Sequence, residues 1–356
     1  MSNYDIPVYP YTRPRVVASK CLEFENVRYN GSLVRCPTVR ALIPFVDFIT
    51  VCPEVEIGLG IPRETIRIVR INGKKRLIQP KTNQDLTDDM DNFTDQFLKD
   101  LPPVDGFIFK SGSPTIGVRN IKIYSEKDKG FVIDRGAGFF ADKIVKRYAE
   151  YPLEEDDRLR NNIIRHHFLT KLFTFADLRS VKESGSIEKL KLFHKYNRFL
   201  FRLYNCDMCI KLDELIDNSK SSGVDKILSE YEGIIVNMFH RSPGSKDFIR
   251  LSNEIISKLN SSSYLSKVSS LNNGEKEYLN CVLKKYEDNR LTCDSLLEIL
   301  RLYVMRFSDS KEEFSRLFFP YPEELKNEVE PERDRDFWAN FPIPDNSDQD
   351  QAAKNQ

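Results

Sequence analysis

The sequence has no net charge, no long apolar run and few glycines. Lysine and arginine number 54 together, as do aspartate and glutamate. This balance excludes a protein-wide field that would draw the chain to nucleic acid or to an anionic membrane. No apolar run approaches the roughly 20 residues that span a bilayer, so the sequence predicts no membrane span. Glycine accounts for only 15 of 356 residues, and with 30% charged residues this composition favours helix.

The start of the chain also lacks the apolar segment of a signal peptide, and the sequence therefore predicts a cytoplasmic protein. Cysteine is sparse and odd in number, with seven residues spread widely along the chain. In a reducing compartment this distribution argues against a disulfide framework. Most of these cysteines are expected to be small buried side chains, and a few to be metal ligands.

The apolar content is that of a folded protein, with 40% hydrophobic and 11% aromatic residues, and the length suits two domains. In the first half, short apolar runs alternate with helical patterns, and Asn72-Gly73 marks a tight hairpin turn. Helices are expected over 85–101 and 138–150, and strands at RVVAS (15–19), FVDFITV (45–51), IRIVRI (66–71), KKRLIQ (74–79), GFIF (106–109) and NIKIYS (120–125). This alternation predicts an α/β domain with a mostly parallel, Rossmann-like sheet.

The second half of the chain has a helical pattern. From about residue 155, apolar residues recur three and four positions apart. The segment 182–186, Lys-Glu-Ser-Gly-Ser, indicates a break before a second, all-α domain over 187–328. After Tyr321 the sequence becomes acidic and rich in asparagine and glutamine. Residues 329–356 are therefore expected to form a poorly ordered tail.

Three of the expected strands end in chemically reactive residues. Cys21 follows the first strand, Cys52 and Glu54 follow the second, and Ser111 to Ser113 follow GFIF. Ligands of open α/β sheets bind in the crevice outside the carboxyl ends of the strands, so these residues define a candidate site. The alternative is that cysteine and serine are simply small residues that fit tight strand-to-helix turns.

Several long motifs of the first half resemble the DUF523 family. They span residues 14–180 and read VVASKCLEFENVRYNG, TVCPEVEIGLGIPRETIRIV, DLTDDM, GFIFKSGSP, GAGFFADKI and YPLEEDDRLRNNIIRHHFLTKLF. The second half, with LFHKYNRFLFRLYN and FFPYPEEL, resembles the DUF1722 (YbgA-like) domain. The resemblance implies an α/β domain over 14–180 followed by a helical domain.

The resemblance to DUF523 also implies an activity. The family includes thiouracil desulfidases, in which three cysteines hold a 4Fe-4S cluster. The fourth iron is open and draws the sulfur from a thiolated pyrimidine, because iron without a protein ligand is a thiophilic Lewis acid. The matching positions here are Cys21 and Cys52 as cluster ligands, with Glu54 as the acid/base residue and Ser113 as a catalytic hydroxyl.

The third ligand of the family pattern is missing. The loop Ser-Pro-Thr-Ile-Gly carries Ile116 where the family has cysteine, and isoleucine has no lone pair to offer iron. One alternative is that Cys36 is the substitute ligand. Another is a cluster on Cys21 and Cys52 with a non-cysteine or external ligand. A third is a cluster-free protein of the same fold, which binds a nucleotide, RNA or a partner protein in place of catalysis.

Further residues are candidates for weaker reasons. Arg63, which follows Gly58-Leu-Gly60, would assist anion binding by the backbone amides of a glycine turn, and Ser111 would contact substrate. The pair Cys206-Asp-Met-Cys209 has redox or metal-binding spacing but no second pair, so packing is the expected role.

The histidines and one basic helix complete the candidates. His166 and His167 lie in an amphipathic pattern and are expected to be structural. In KLKLFHKYNRFLFRLY (189–204), basic residues interleave with aromatic ones around His194. This pattern is compatible with RNA binding through phosphates and stacking. It is more typical of an ordinary amphipathic helix with a solvated basic side.

Overall fold

The strands of the first half form two separate sheets. They are β1 (Arg15–Ser19), β2 (Asp47–Val51), β3 (Arg67–Ile71), β4 (Lys74–Gln79), β5 (Gln84–Asp85), β6 (Gly106–Phe109), β7 (Ile121–Tyr124), β8 (Val132–Gly136) and β9 (Leu153–Glu155). The first sheet has four strands in the order β2-β1-β6-β9, and all of its pairs are parallel. The expected α/β region with a parallel sheet is thus confirmed.

The second sheet has the order β5-β4-β3-β7-β8. Its centre is the predicted hairpin, in which Asn72 and Gly73 take positive φ values of 50° and 77° and connect antiparallel β3 and β4. The strand over 121–124 pairs with β3 and not with the parallel sheet. These strands form a sheet of their own because the hairpin binds β7 on its free edge.

Helices fill the rest of the described chain. They are α1 (Pro37–Leu42), α2 (Pro53–Glu56), α3 (Thr87–Asp100), α4 (Phe139–Arg147), α5 (Asn162–Ser184), α6 (Ile187–Tyr204), α7 (Cys206–Asp217), α8 (Val224–Met238), α9 (Ser245–Asn260), α10 (Asn273–Glu287), α11 (Cys293–Phe307) and α12 (Ser315–Phe318). The predicted helices over 85–101 and 138–150 correspond to α3 and α4.

Helix α5 lies between the parallel sheet and the later helices. The Asn161 side chain caps its start by accepting from the amides of Ile163 and Ile164 at 3.0 and 3.1 Å. Gly185, with φ 59°, ends it in the left-handed conformation, at the predicted break. Every residue over 168–178 is buried. This central part of the helix is buried because it packs against β1 and β6 on one side and α6 on the other.

The computed structural model describes residues 6–125, 130–219, 223–260 and 271–326. The residues up to Leu325 form one compact unit, to which both the sheets and the helices belong. Within the described ranges, no helix combines the length and the apolar character that crossing a membrane requires. The expected tail over 329–356 lies outside the described residues.

Candidate functional site

The carboxyl ends of the parallel strands meet at one edge of the first sheet. Because β1, β2, β6 and β9 run in one direction, the loops that follow them converge there. A cavity of about 300 Å³ opens at this edge. Most of the site residues expected from the sequence line it, namely Cys21, Cys52, Glu54, Arg63, Ser111 and Ser113, together with Ile116.

The loop after β6 forms a compact turn that closes one side of the cavity. Gly112 takes a φ of 73°, which lets the chain reverse directly after the strand. The Oγ atom of Ser113 accepts hydrogen bonds from the amides of Thr115 and Ile116 at 3.3 and 3.2 Å. The amide of Gly117 then donates to the carbonyl of Ser113 at 2.9 Å. The turn therefore holds the Ser113 hydroxyl in a fixed place at the rim.

The segment GAGFF (136–140) is joined to this loop by backbone hydrogen bonds. The carbonyl of Pro114 accepts from the amide of Phe139 at 3.1 Å, and that of Thr115 accepts from Ala141 at 3.0 Å, both at the start of α4. Gly138 allows this close approach, because a Cβ atom there would lie 2.5 Å from the carbonyl of Thr115. Two motifs that are distant in the sequence thus form one wall of the site.

Glu54 lies at the centre of a polar network in the cavity. Its side chain belongs to α2, and the residue is only 8% exposed. Its Oε1 atom accepts from the hydroxyl of Thr115 at 2.6 Å and from that of Ser113 at 3.3 Å. Its Oε2 atom accepts from the thiol of Cys52 at 3.4 Å. Three side chains from two loops therefore fix the orientation of this carboxylate.

Arg63 reaches the same carboxylate from the other side. Its guanidinium lies 3.8 Å from Oε2 of Glu54 and is held by the carbonyls of Val27 and Gly60 at 2.9 and 3.3 Å. Gly58 and Gly60 both take positive φ values and form tight turns, and neither belongs to the described lining of the cavity. The glycines position Arg63, and the guanidinium is the group that faces the cavity.

Both cavity cysteines have a raised pKa. Burial, and then the negative charge of Glu54, raises the pKa of Cys52 to about 12. The same two causes, in the same order, raise the pKa of Cys21 to about 11.

The remaining candidate ligands do not complete a cluster site. Ile116 is 4% exposed and packs in the hydrophobic core with Val17 and Phe109. Cys36 is also buried, packs against Leu22 beside α1, and is absent from the described lining of the cavity. Within the residues that the structure describes, no three His, Cys, Asp or Glu side chains are grouped to hold a metal ion. The donor set does not fit a three-cysteine 4Fe-4S cluster.

Sequence reasoning missed two residues that hold the side chains of the site, Asp156 and Thr115. Asp156 follows β9, and its Oδ1 atom accepts from the amide of Ser111 at 2.7 Å and from the ammonium of Lys110 at 3.2 Å. Like the other site residues, Asp156 directly follows a parallel strand. The sequence did not reveal this, because β9 has only three residues and so no recognisable pattern. Thr115, the nearest partner of Glu54, lay next to the family-matched positions and carried no signal of its own.

The histidines and the Cys-x-x-Cys pair have structural roles. His194 is 6% exposed and bridges the hydroxyl of Tyr231 at 2.9 Å and the carboxylate of Asp213 at 2.7 Å. Cys209 is fully buried, and its thiol donates to a backbone carbonyl at 3.7 Å. His166 and His167 each contact a tyrosine hydroxyl, at 2.8 and 2.9 Å respectively. Each of these four side chains thus has a partner within the protein.

The basic and aromatic pattern of α6 does not support RNA binding. Its phenylalanines at 193, 199 and 201 are at most 1% exposed and form parts of the hydrophobic cores, so their rings are closed to a base. Arg198 lies 3.2 Å from the carboxylate of Asp213, and Arg202 pairs with Glu254. The helix is an amphipathic packing helix whose inner cations are already paired.

Fold and site together define an α/β protein with a cavity at the strand ends, joined to a helical region. Residues 16–156 match the family model of 2-thiouracil desulfurase, and residues 198–322 match the DUF1722 model. Each of the two regions thus matches the model of one family. The family resemblance seen in the sequence is thereby confirmed.

One solved structure is similar to part of the chain. It is a 4Fe-4S-dependent thiouracil desulfidase, TudS, with 23% sequence identity and a TM-score of 0.33. The match covers 42% of this chain and 94% of that chain. A search of the curated proteins finds no match.

Proposed function

We propose that the cavity binds a thiolated pyrimidine, as base or nucleotide, and that it does so without a three-cysteine cluster. The observation that carries the proposal is the Glu54 carboxylate, which Thr115, Ser113 and Cys52 hold in place within the cavity. The family match of residues 16–156 supports the ligand class. The similar desulfidase, which acts on thiouracil, is in accord with it.

The polar groups of the cavity complement the edge of a pyrimidine. An ionised carboxylate offers about four lone-pair sites, and the three side-chain donors occupy three of them at Glu54. One site remains for a ring N–H of the ligand. The guanidinium of Arg63, which belongs to the lining, is a donor for a carbonyl or thiocarbonyl. The volume of about 300 Å³ lies at the small end of ligand pockets, as a base requires.

Apolar side chains supply the walls against which the ring would lie. Ile116, Val27 and Ile66 belong to the lining. Where a cluster ligand would stand in the family pattern, Ile116 offers a branched aliphatic surface. This surface favours an uncharged aromatic ring, because burial of apolar area stabilises the complex.

The competing function is cluster-dependent desulfuration, which the family match and the meeting of Glu54 with Ser113 favour. Anaerobic purification, reconstitution with iron and sulfide, and assays of iron, sulfide and the visible spectrum separate the two. We expect less than one iron per chain. About four irons per chain, lost in Cys21→Ser or Cys52→Ser, with sulfide released from 2-thiouracil, would overturn the cluster-free assignment.

Binding is measured by titration calorimetry of the full chain with 2-thiouracil and with uracil. Glu54→Gln retains the shape of the side chain but loses its charge, and we expect binding about tenfold weaker. Glu56→Gln is the matched control, because Glu56 lies on the same short helix and is exposed. Wild-type protein that does not bind 2-thiouracil would contradict the proposal.

Ile116→Cys tests whether the missing ligand explains the missing cluster. Cys21 and Cys52 line the same cavity as position 116. We expect this variant to bind more iron after reconstitution than the parent does. An unchanged iron content would contradict the assignment of Ile116 as the cause. Cys36→Ser, measured alongside, is expected to leave the spectrum unchanged.

A further inference from the structure

Cys52 has a hydrogen-bonding environment that a metal ligand would not need. It stands at the start of α2 in an extended conformation and is 7% exposed. Its Sγ atom lies 3.4 Å from Oε2 of Glu54 and 3.8 Å from the carbonyl oxygen of Val27. The guanidinium of Arg63 approaches the same sulfur at 3.7 Å. Two acceptors and one donor therefore surround this thiol.

We propose that Cys52 is a positioning residue, whose thiol donates a hydrogen bond to Glu54 and holds that carboxylate for the ligand. This inference rests on the proposed function. It gives a new role to a residue that the family pattern marks as a cluster ligand. In this role the sulfur keeps its proton and touches Glu54, while the ligand touches Glu54 in turn.

The asymmetry of the carboxylate shows why the thiol matters. On the Oε1 side, the hydroxyls of Thr115 and Ser113 both donate. On the Oε2 side, Cys52 is the hydrogen-bond donor, and the guanidinium of Arg63 stands back at 3.8 Å. Without the thiol, Oε2 would be held only by the longer ionic contact. The carboxyl plane would then be free to rotate away from the ligand.

The contacts of Cys52 suit a hydrogen-bond donor. Its Sγ atom lies 3.4 Å from the carboxylate of Glu54 and 3.8 Å from the carbonyl oxygen of Val27, and both of these groups are acceptors. A thiol can offer its proton to such an acceptor. Cys21 lines the same cavity, and no hydrogen bond of its side chain is present among the described contacts. The two cavity cysteines are thus not equivalent.

Two substitutions at this position separate the roles. Cys52→Ala removes the donor, and we expect 2-thiouracil to bind about fivefold more weakly, because a lone S–H bond is a weak one. Cys52→Ser keeps a donor, and we expect binding within about twofold of the wild type. A cluster ligand would behave differently, since serine and alanine would then both abolish the iron and the activity.

Cys36→Ala is the matched control. Cys36 is also buried, stands at the start of a short helix and precedes a proline, as Cys52 does. It lies outside the described lining of the cavity, so we expect its removal to leave ligand binding unchanged. Circular dichroism and urea unfolding of each variant test whether the fold persists.

The infrared S–H stretch gives a readout that does not depend on ligand. The difference spectrum of wild type minus Cys52→Ser isolates this thiol, and we expect its band at lower wavenumber than that of the exposed Cys281. Glu54→Gln should move the band upward, because the acceptor loses its charge. A band at the position of a free thiol, or equal binding by the serine and alanine variants, would overturn the inference. Wild-type protein that fails to bind 2-thiouracil would instead overturn the proposed function.

Discussion

The two regions of this chain use the same polar residue types to different ends. In the α/β region, Glu54 lines a cavity although three side chains hold it. In the helical region, His194 has both ring nitrogens engaged. Arg316 and Asp177, each 1% exposed, form an ion pair there. A cysteine, histidine or arginine thus indicates function only where the fold leaves room beside it.

The difference has a geometric cause. Parallel strands end at one edge, and their loops splay apart around a crevice. Helices pack along their sides, so polar groups on their inner faces meet one another and not a ligand. The helical region therefore uses buried polar residues to fix how its helices pack, whereas the strand ends leave them accessible.

The comparison predicts its largest effect at Asp177. This carboxylate pairs with Arg316 and accepts from the amide of Thr12 at 2.9 Å, so it ties α5 to both ends of the described chain. Asp177→Ala leaves a buried guanidinium without its partner, and we expect the free energy of unfolding to fall by about 3 to 5 kcal/mol. Urea denaturation of the wild type and the variant measures this change in the free energy of unfolding.

Asp95→Ala is the control for that loss, because the Asp95–Lys143 pair is exposed and 2.8 Å long. We expect a loss below about 1 kcal/mol. If Asp177→Ala were as mild as this control, the view of the helical polar groups as structural would fail.

The next largest effect concerns Ile116, where the cavity meets the core. It is 4% exposed and packs with core residues of the first region. Ile116→Ala removes buried methyl groups and leaves a void, and we expect a loss of about 2 to 4 kcal/mol in unfolding experiments. Ile163→Ala, at a side chain that is 73% exposed, should stay within about 0.5 kcal/mol. A neutral Ile116→Ala would show that this position belongs to the site alone.

The sequence was sufficient for elements whose signal is local. The hairpin followed from Asn72-Gly73, and the strands from short apolar runs such as GFIF. The convergence at the cavity followed from parallel strand order together with the reactive residues after each strand. Local sequence pattern and the general topology of parallel sheets were thus enough to predict the first sheet and most of the site.

What the sequence could not give depends on contacts between distant segments. Strand β9 has three residues, too few for a period, so Asp156 went unrecognised. Thr115 reaches Glu54 only because the start of α4 folds the loop back. Cys36 packs into the core and not at the cavity, since α1 turns it inward. Each of these outcomes is decided by packing between separate segments of the chain, which no local pattern records.

A smaller effect on stability, which depends on pH, is expected at Lys171 of the helical region. Burial in α5 lowers the pKa of Lys171 to about 8, whereas the unfolded chain has about 10.4. Between these values the unfolded state binds more protons, so stability rises with pH across that window. Lys171→Met removes the cost of burying a charged amine. We therefore expect it to stabilise the protein by about 1 to 3 kcal/mol at pH 7.

The measurement is urea unfolding of both proteins at pH 7 and pH 10. The advantage of the methionine variant should shrink at the higher pH, where the wild-type amine is neutral in the folded state. Lys226→Met, at an exposed lysine of α8, should show no such pH dependence. An advantage that is equal at both pH values would mean that the lysine charge is not the cause.

The smallest expected effect is on the outer face of α6. Lys189 and Lys191 are exposed, whereas the phenylalanines of the same helix are buried. We expect Lys189→Ala combined with Lys191→Ala to change stability by less than about 0.5 kcal/mol. In a gel-shift experiment, a labelled single-stranded RNA should migrate in the same way with the double variant as with the wild type. If the helix bound RNA through phosphates, the double variant would bind more weakly and its affinity would depend less on salt. That result would assign a ligand surface to the helical region and would remove the contrast with the strand-end cavity.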